Sequence, residues 1–380
     1  MGPLGILGGG QLGRMLIEAA APLGIDCVVA ERFGQSPAAR LTDTSIVFTG
    51  GWDDRAALDA LAARAPVVTL ENEFVDATVL DALQARGARV LPSPDCVRQV
   101  QDKLRQKQAL ADAGLPVPAF REVTAPDDLV RAASELGWPL MLKARRDGYD
   151  GRGNLLVHSA AEANAACESL GWPKRALFVE ACVPFERELA VQVVRGQAGD
   201  VMLYPTVETR QDPRLHICRE VLAPADLPTG VSVLAQAVAR AAVEAVGGVG
   251  AFGVELFLLE GGRLSINELA PRPHNSAHYS IEACHTSQFS NHVRAVLGLP
   301  LGDPGLRVPA AAMVNLLGTG GGLPEAAEVG AALRVAEAFV HLYGKAENRP
   351  GRKLGHVTAL GPSLEVALAR ARAAAESLPL

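Results

Sequence analysis

One segment in the second half of the chain, residues 253–269, constrains the fold more than any other part of the sequence. Its two arms, 254–259 and 264–269, are apolar and rich in residues that favour β-strands, and the pair Gly261-Gly262 lies between them. A glycine pair between two apolar runs is typical of the tight turns that join antiparallel strands. The sequence therefore predicts a β-hairpin here.

The hairpin also predicts that two carboxylates face each other. If the turn closes Glu260 against Arg263, the pairing runs outward until Glu255 lies opposite Glu268. The pairs between them are Leu259 with Leu264 and Phe257 with Ile266. Like charges opposite each other on neighbouring strands are destabilising, and a proton or a cation between them relieves the cost. Paired carboxylates commonly bind Mg²⁺ together with nucleotide phosphates; the alternative is a solvated hairpin end.

The length and the charge of the chain limit its class. At 380 residues it is too long for one ordinary hydrophobic core, so we expect two or three domains. Its formal net charge of −6 disfavours a broad nucleic-acid-binding surface. We find no apolar run long enough to span a bilayer, no charged leader and no C-x-x-C pair. We expect a cytoplasmic protein with reduced thiols and no nucleic-acid or membrane partner.

Residues 1 to about 100 alternate short apolar runs with helical segments, which is typical of a doubly wound α/β domain. The predicted strands are 4–7, 26–30, 45–48, 67–70 and 89–91. A single helix is then predicted from about 95 to 113, because Gly114 and Pro116 are helix-ending residues.

The rest of the chain has a different pattern. From 107 to about 300 the apolar runs predict mostly antiparallel strands with two helices, which is an α+β domain. The remaining residues predict three strands and a final helix, too few to fold independently. We therefore divide the chain into an N-terminal domain (1–106), a central domain (107–299, with a lid subdomain at about 116–178) and a small C-terminal domain (300–380).

Gly8, Gly10 and Gly13 follow the first strand with the spacing G-x-G-x-x-G and precede a helix. With Glu31 at the end of the second strand, this pattern is typical of dinucleotide-binding domains. Any close strand-to-helix turn that approaches a phosphate also needs small residues. A dinucleotide site, a phosphate-facing loop for another substrate and a structural turn are all compatible with the motif, and the phosphate-facing loop is favoured.

A glycine-rich loop follows Lys143, which ends a predicted strand. Gly148, Gly151 and Gly153 allow the backbone to wrap around phosphate groups, and arginines crowd the same stretch. The Walker pattern is absent, so this loop is not a P-loop. It predicts a lid over a triphosphate, with an ordinary flexible hairpin as the alternative.

Two further segments carry residues that suit anion binding. Directly after Glu268, two prolines stiffen the segment that contains Arg272, His274 and Asn275, and a rigidly held arginine suits bidentate binding of a carboxylate, bicarbonate or phosphate. A structural role explains His274 equally well. Near the C-terminus, the basic stretch 343–356 predicts a second anion site.

The order of these features resembles the ATP-grasp superfamily, in which a lysine, a glycine-rich lid and paired carboxylates follow an α/β domain. The strings GGGQLGRM, DGYDGRGN, NELAPRPHNSAH and NRPGRKLGH resemble the 5-(carboxyamino)imidazole ribonucleotide synthase family of purine biosynthesis over nearly the whole chain. The resemblance implies an N-terminal pre-ATP-grasp α/β domain, an ATP-grasp domain with its lid, and a small C-terminal domain.

The resemblance implies an ATP-dependent carboxylating ligase. Such enzymes convert ATP, bicarbonate and 5-aminoimidazole ribonucleotide into the N-carboxylated nucleotide, ADP and phosphate, with carboxyphosphate as the intermediate. Because carboxyphosphate is quickly lost to water, the lid is expected to close before transfer. Mg²⁺ is the implied cofactor, ATP the co-substrate and a homodimer the implied assembly.

The resemblance also implies roles for individual residues. The metal ligands are Glu255 and Glu268. The residues implied for ATP are Lys103, Lys143, Gly148, Tyr149, Asp150, Gly151, Arg152, Gly153, Asn154, Glu180, Ala181, Cys182, Val183, Glu188, Gln211, Asn267 and Glu268. Those implied for the ribonucleotide are Gln11, Glu73, Tyr149, Asp150, Arg152, Asn275, Ser276, Lys345 and Arg352. Those implied for catalysis are Arg272, His274, Lys345 and Arg352.

Two positions depart from the family pattern. Many ATP-grasp enzymes have a metal-binding asparagine two residues after the second glutamate, where this chain has Ala270. A histidine that this family often places in the nucleotide site corresponds here to Gln211, or to His216 if the loop is longer.

Four other functions share some of these features. A formate-using glycinamide ribonucleotide transformylase has the P-R-P-H string and the first glycine loop, whereas the lid and the basic tail favour the carboxylating enzyme. A biotin carboxylase would act on a carrier protein. A nicotinamide oxidoreductase leaves the carboxylate pair unexplained, and a non-catalytic nucleotide sensor leaves the substrate residues unexplained.

Overall fold

The computed structural model describes residues 2–49, 51–148 and 153–380, and the strands within these ranges form three β-sheets. The N-terminal elements are β1 (Leu4–Leu7), α1 (Gln11–Ala20), β2 (Cys27–Glu31), β3 (Ser45–Val47), α2 (Arg55–Arg64), β4 (Val67–Leu70), α3 (Ala77–Gln84) and β5 (Arg89–Val90). The strands are parallel and lie in the order β3-β2-β1-β4-β5. Every residue of β1 and β4 is buried, as expected for strands with helices on both faces. The predicted doubly wound α/β domain is confirmed.

The single helix predicted from about 95 to 113 is wrong. The structure has two helices, α4 (Pro94–Gln101) and α5 (Lys103–Asp112), separated at Asp102. The Asp102 carboxylate accepts hydrogen bonds from the backbone N–H groups of Leu104 and Arg105 in the first turn of α5, and it also pairs with Arg145 at 2.6 Å. Aspartate is a better N-cap than helix former, so it starts a new helix. As a result α5 begins with Lys103.

The second sheet has four antiparallel strands. Its elements are β6 (Phe120–Val123), α6 (Pro126–Leu136), β7 (Leu140–Ala144), β8 (Asn154–Val157), α7 (Ala163–Ser169) and β9 (Leu177–Ala181). The strand order is β6-β9-β7-β8. Sequence reasoning missed β6 and α6, because only Val123 of β6 and only Leu129 and Ala132 of α6 are buried.

The third sheet has nine strands and extends through the rest of the chain. Its strands are β10 (Arg187–Arg195), β11 (Val201–Leu203), β12 (Val207–Gln211), β13 (Cys218–Ala223), β14 (Gly250–Leu259), β15 (Arg263–Ala270), β16 (Ala310–Leu317), β17 (Ala338–Leu342) and β18 (Lys353–Gly361). The helices around it are α8 (Thr229–Val246), α9 (Ser280–Ala283), α10 (Gln288–Leu297), α11 (Ala326–Leu333) and α12 (Leu364–Glu376). The order is β15-β14-β10-β12-β13-β16-β18-β17, with β11 paired to β10. The C-terminal strands therefore continue the central sheet through the pairing of β13 with β16.

Polar residues inside this region explain what sequence reasoning missed. β12 and β13 carry buried Glu208 and Glu220, which pair with arginines, so neither strand shows a clear apolar pattern. α10 buries Gln288, Asn291 and His292, so its inward face does not look apolar. In each case a satisfied buried polar group takes the place of a hydrophobic one.

Sequence reasoning also overlooked α8 as a candidate membrane span. Within the described residues it is the one helix long and apolar enough, by length and composition, to cross a membrane. One face packs in the core cluster formed with β10, β14 and β15, through Ala235, Val238, Ala239, Ala242, Val243 and Val246. Arg240 and Glu244 pair with each other on an exposed side. One-sided burial of this kind is typical of a helix packed on a sheet.

His292, on α10, joins the N-terminal sheet to the central sheet. Its Nδ1 accepts a hydrogen bond from the backbone N–H of Ala251 at 3.0 Å, and its Nε2 lies 2.7 Å from Thr69 Oγ1. Because a backbone N–H can only donate, Nε2 carries the ring hydrogen and donates it to Thr69. Burial lowers the pKa of His292 to about 3.

We expect His292 to make the fold acid-sensitive. Its pKa in the folded protein lies below the ordinary 6.5, so the unfolded chain binds the proton more readily. The stabilising contribution is therefore present above pH 6.5 and is lost as the pH falls towards 3. The free energy of unfolding is expected to change by up to about 1.4 kcal/mol per pH unit.

Urea unfolding of His292→Gln should show a weaker pH dependence than the wild type. His285→Gln, at an exposed position, is the control, and equal slopes in all three proteins would contradict the prediction.

Candidate active site

The hairpin of β14 and β15 has the predicted carboxylate pair but not the predicted register. A three-residue turn, Glu260–Gly262, replaces the two-residue turn, and it pairs Leu259 with Arg263. From this turn onward each residue of β14 lies opposite the residue of β15 one position earlier than predicted, as far as Leu256 opposite Ile266. A register shift follows, and Glu255 lies opposite Glu268. The pairs predicted between the turn and the glutamates are therefore wrong, and the pairing of the glutamates is present.

Asn267 is the extra residue in this β-bulge. Its side-chain N–H donates to Glu255 Oε2 at 3.1 Å, and its Oδ1 accepts from Lys143 Nζ at 3.4 Å. Bulges occur next to active sites, where they redirect a side chain. This bulge places an amide between a carboxylate of the hairpin and a lysine of the four-stranded sheet.

The two glutamates have different protonation behaviour. Burial raises the pKa of Glu255, and the negative charges of Glu268 and Glu188 raise it further. Burial also acts on Glu268, but the adjacent Lys103 ammonium outweighs it and holds that pKa below its ordinary value. The side chains remain 32% and 33% exposed, so the pair lies on the floor of a cleft that opens to solvent. At neutral pH Glu255 therefore favours a bound proton or a nearby cation.

The pair has the donor set of a magnesium site. Two carboxylates and the amide oxygen of Asn267 are the hard oxygen ligands that Mg²⁺ prefers. The described residues contain no group of three or more His, Cys, Asp or Glu side chains that could enclose a metal ion. Mg²⁺ bound with nucleotide usually has one or two carboxylate ligands, phosphate oxygens and water, and Glu255 with Glu268 fits that arrangement.

Three buried charges line the cleft beside the pair. Glu180, at the end of β9, lies between Lys107 at 2.8 Å and Lys143 at 2.7 Å. Burial works against ionisation of Glu180, but the two lysines hold its pKa below the ordinary value. Burial lowers the pKa of Lys107 to about 8. Sequence reasoning missed Lys107, although it follows Lys103 by one helical turn and so lies on the same face of α5.

The predicted nucleotide residues beyond Glu180 lie at the end of β9 and on the paired strands β10 and β12, and we call them the nucleotide wall. Ala181 and Val183 are half-buried and Cys182 is exposed directly after β9. On β10, Glu188 accepts a hydrogen bond from Gln211 Nε2 at 2.5 Å. Burial raises the pKa of Glu188, and the charge of His216 acts in the opposite direction. Gln211 thus contacts a residue that is predicted to bind the nucleotide.

Phe257 is a further residue of this wall that sequence reasoning missed. It lies two residues from Glu255 on the same strand face and directly opposite Glu188 on β10. Phe185 stacks against it, with ring centroids 4.6 Å apart. The alternation of the hairpin arm was the available signal, because it places Phe257 and Glu255 on one face.

The segment after β15 contacts the N-terminal domain and the hairpin. The Arg272 guanidinium holds both oxygens of Glu73, with Nη2 at 2.9 Å from Oε1. Burial opposes ionisation of Glu73, but Arg272 keeps its pKa below the ordinary value. His274 Nε2 lies 3.5 Å from Glu255 Oε1. Burial first, and then the charges of Arg272 and Lys353, lower the pKa of His274 to about 4.

Asn275 and Ser276 form hydrogen bonds with neighbouring protein side chains. Asn275 exchanges two amide hydrogen bonds with Asn315 of β16, at 2.9 and 2.7 Å. Ser276 is 2% exposed, and its hydroxyl oxygen lies 2.8 Å from His274 Nδ1. Their predicted binding of the ribonucleotide stays a prediction, and in this structure both contact other protein groups.

The basic C-terminal stretch approaches the same region. Lys345 Nζ donates to the carbonyl oxygen of Lys353 at 2.7 Å and lies 5.6 Å from the ring centre of Tyr343. Arg352 is 39% exposed and lies 3.7 Å from Glu347. Sequence reasoning missed two arginines here. A Cβ atom at Gly344 would lie 3.3 Å from Nη1 of Arg14 and 3.8 Å from Nη1 of Arg40.

The first glycine loop does not have the form of a dinucleotide site. The backbone N–H of Gly9 donates to the Glu31 carboxylate at 2.8 Å, and that of Gly13 to Glu71 at 3.4 Å. A Cβ atom at Gly10 would lie 2.7 Å from a carboxylate oxygen of Glu71. Carboxylates already face the N–H groups that a pyrophosphate would need. Gln11, the first residue of α1, is half-buried next to this loop.

Part of the predicted lid is described and part is not. Gly148 lines a cavity of about 260 Å³ together with Glu73, Lys103, Arg146 and Glu268. Asn154 begins β8 and pairs with Lys143, and Gly153 adopts φ 88°, which favours glycine. Tyr149, Asp150, Gly151 and Arg152 lie outside the described residues.

Three family models match successive parts of the chain. They are the ribonucleotide synthetase preATP-grasp domain (residues 1–101), the ATP-grasp domain (residues 108–289) and the phosphoribosylaminoimidazole carboxylase C-terminal domain (residues 311–370). These matches agree with the predicted combination of an α/β domain, an ATP-grasp domain and a C-terminal domain.

Curated proteins and solved structures give the same result. N5-carboxyaminoimidazole ribonucleotide synthase of Synechococcus elongatus is 43% identical over 93% of this chain and 88% of its own length. Phosphoribosylaminoimidazole carboxylase of Schizosaccharomyces pombe is 41% identical over 95% of this chain, which spans 65% of that longer protein. The Aspergillus clavatus synthase in complex with ADP and 5-aminoimidazole ribonucleotide is 38% identical, with a TM-score of 0.89 over 99% of this chain and 98% of that one. The chain therefore belongs to the N5-carboxyaminoimidazole ribonucleotide synthase family of ATP-grasp enzymes.

Proposed function

We propose that this chain is an ATP-dependent ligase of purine biosynthesis. It carboxylates 5-aminoimidazole ribonucleotide with bicarbonate to 5-(carboxyamino)imidazole ribonucleotide and releases ADP and phosphate. The observation that carries the proposal is the pairing of Glu255 with Glu268 beside Lys103 and Lys143. It occurs in a family whose Aspergillus clavatus member binds ADP and 5-aminoimidazole ribonucleotide.

The reaction has two stages. A bicarbonate oxygen attacks the γ-phosphorus of ATP, the bond to the β-phosphate oxygen breaks, and carboxyphosphate and ADP form. The C–O bond of carboxyphosphate then breaks, and phosphate and CO₂ separate. The CO₂ carbon bonds to the exocyclic amine nitrogen, which loses a proton. Both stages bring anions together in a cleft, where fixed positive charge is most effective.

The lysines and glutamates of the cleft are proposed to exchange partners when ATP binds. Lys103 and Lys143 now contact Glu268 and Glu180, and phosphate oxygens would replace these carboxylates. Glu255, Glu268 and Asn267 would hold Mg²⁺, which supplies positive charge next to the phosphates. Residues 180–183, Glu188 and Gln211 would bind the adenosine part, with the lid over the phosphates.

Arg272 and His274 are proposed to bind bicarbonate and carboxyphosphate. Arg272 has a planar fork that suits a carboxylate or bicarbonate, and Glu73 fixes its orientation from the N-terminal domain. The proposed ribonucleotide residues are Gln11, Glu73, Tyr149, Asp150, Arg152, Asn275, Ser276, Lys345 and Arg352. Lys345 and Arg352 bring positive charge to that substrate from the C-terminal strands.

The wider organisation is part of the proposal. We propose a cytoplasmic homodimer, and a division into domains at residues 1–106, 107–299 (with the lid subdomain at about 116–178) and 300–380. Sedimentation of the purified chain tests the dimer.

The first experiment measures ADP release with ATP, Mg²⁺ and bicarbonate, with and without 5-aminoimidazole ribonucleotide. We expect stimulation that requires both bicarbonate and the ribonucleotide. Stimulation by glycinamide ribonucleotide and formate instead would retain the fold and move the function to a transformylase. No stimulation by either pair would overturn the ligase assignment.

Arg352→Ala should weaken binding of the ribonucleotide far more than binding of ATP. Arg352 lies in the basic stretch and contacts Glu347, so its removal leaves the nucleotide wall intact. Loss of a charged hydrogen bond to a phosphate corresponds to a rise in KM of roughly 10- to 100-fold. Arg334→Ala, at the exposed end of α11, is the control. Equal changes in both KM values would contradict the assignment of Arg352.

A further inference from the structure

His274 lies directly across the backbone of Gly253. Gly253 is on β14, two residues before Glu255, so the two share one face of the strand. A Cβ atom built on Gly253 would lie 2.4 Å from His274 Cβ and 2.4 Å from His274 Cγ. Such distances are far shorter than any carbon–carbon contact allows. The glycine therefore provides the space in which the histidine lies.

This glycine is not explained by backbone conformation. Gly253 does not have a positive φ angle, whereas Gly250 and Gly261 do. It lies inside a regular stretch of β14 opposite Gln192 and Ala270. Glycine inside a strand weakens it, and it often marks a place of close approach. Here the group that approaches is the side chain of His274.

Ser276 determines which ring nitrogen of His274 carries the hydrogen. The backbone N–H of Ser276 points at His274 Nδ1 at 3.4 Å, and the hydroxyl oxygen of Ser276 lies 2.8 Å from the same nitrogen. A backbone N–H can only donate, so Nδ1 is the acceptor and Nε2 carries the hydrogen. That hydrogen faces Glu255 Oε1, 3.5 Å away.

The backbone at His274 is held as well. Its N–H donates to Gln288 Oε1 at 2.8 Å, and its carbonyl oxygen accepts from Gln288 Nε2 at 2.8 Å. Gln288 is completely buried at the start of α10. The main chain of His274 is therefore fixed, and the direction of the ring depends on the space at Gly253 and the contacts from Ser276.

We propose that Gly253 and Ser276 are positioning residues that hold His274 against β14, with Nε2–H directed towards Glu255. His274 then acts as a hydrogen-bond donor to an oxygen of bicarbonate or carboxyphosphate. In this role Ser276 holds the histidine ring through its backbone N–H and its hydroxyl oxygen. The proposal rests on the proposed function for the identity of the bound oxygen, whereas the orientation of the ring does not depend on it.

Gly253→Ala is the first test, because its methyl group needs the space of the histidine ring. We expect kcat to fall by roughly 100-fold, the size expected when a reacting group is misplaced by about 1 Å, while the Kd for ADP stays unchanged. Gly230→Ala is the matched control, because a Cβ atom there would have no neighbour within 4 Å. It should retain full activity. Full activity in Gly253→Ala would overturn the proposal.

A double-mutant cycle separates positioning from a general defect of the strand. His274→Gly removes both atoms that the new methyl group would strike. In that background Gly253→Ala should leave the melting temperature and the residual rate unchanged, whereas in the wild type it should lower both. Equal losses of melting temperature and rate in the two backgrounds would show that Gly253 is needed for the stability of β14 and not for the position of His274.

The tautomer is tested without any substrate. The ¹⁵N spectrum of histidine-labelled protein should show His274 with a protonated Nε2 and an unprotonated Nδ1, with the signal assigned from its loss in His274→Gln. Ser276→Ala should change this signal and lower kcat, and Ser276→Thr, which keeps the hydroxyl, should restore both. A protonated Nδ1 in the wild type would overturn the proposal. If the tautomer is as expected but bicarbonate does not stimulate ADP release, the proposed function fails and the positioning of His274 stands.

Discussion

Glu268→Gln should lower the rate of ADP release by roughly 1,000-fold, the upper end of what loss of one preorganised electrostatic contact costs. The substitution removes one of the two facing carboxylates, the one whose pKa Lys103 holds low. An amide leaves Glu255 as the single charged ligand, and burial favours the protonated form of Glu255. Steady-state assays over a range of Mg²⁺ concentrations measure the effect, and excess Mg²⁺ should restore only part of the rate.

The same hairpin provides the control. Glu260 lies in the exposed turn between β14 and β15, so Glu260→Gln changes the net charge equally without touching the pair. It should retain full activity. The fold of Glu268→Gln should also survive, because the substitution removes the repulsion between facing carboxylates. Near-normal turnover in Glu268→Gln would contradict the metal assignment.

Glu180→Gln should destabilise the folded protein by about 3–5 kcal/mol, the usual cost of removing one partner from a buried ion pair. Glu180 is 2% exposed and is the shared counter-ion of Lys107 and Lys143. Without it, Lys107 keeps a hydrogen bond to the carbonyl oxygen of Ile266 at 3.0 Å, but its charge has lost its counter-ion. Urea unfolding monitored by circular dichroism measures the change.

Glu122→Gln is the matched control for this prediction. Glu122 also pairs with a basic residue, Arg145 at 2.6 Å, but its side chain is 53% exposed. Exposed ion pairs contribute little, so the change should be within about 0.5 kcal/mol. Equal unfolding midpoints for wild type and Glu180→Gln would contradict the role of Glu180 as the counter-ion.

The hairpin illustrates how far the sequence determines the site. Apolar runs and a glycine pair were sufficient to predict two paired strands and the facing carboxylates. The turn length was not predictable, because a two-residue and a three-residue loop can both contain Gly261 and Gly262. The correct pairing of Glu255 with Glu268 arises from two compensating differences, a longer turn and the bulge at Asn267.

Other differences have the same origin in tertiary contacts. The Asp102 N-cap was a local signal that sequence reasoning did not use, whereas the contact of Asp102 with Arg145, which is distant in sequence, could not be predicted from local helix signals. Strands β12 and β13 were missed because their buried carboxylates pair with arginines from other elements, Glu208 with Arg187 of β10 and Glu220 with Arg372 of α12. The orientations of Asn275 and Ser276 likewise depend on Asn315 and on His274. The residue types follow from the sequence, whereas the tertiary contacts that orient their side chains could not be predicted from it.

The four residues from Arg272 to Asn275 contact three separate regions of the molecule. Arg272 binds Glu73 beyond the end of β4, His274 lies beside Glu255 of β14, and Asn275 exchanges amide bonds with Asn315 of β16. Exchanging residues 300–380 with those of a relative would therefore replace the residue that contacts Asn275 beside the proposed active site. Such chimaeras would need an asparagine at position 315 to remain active, even though that residue is completely buried and lies outside the cleft.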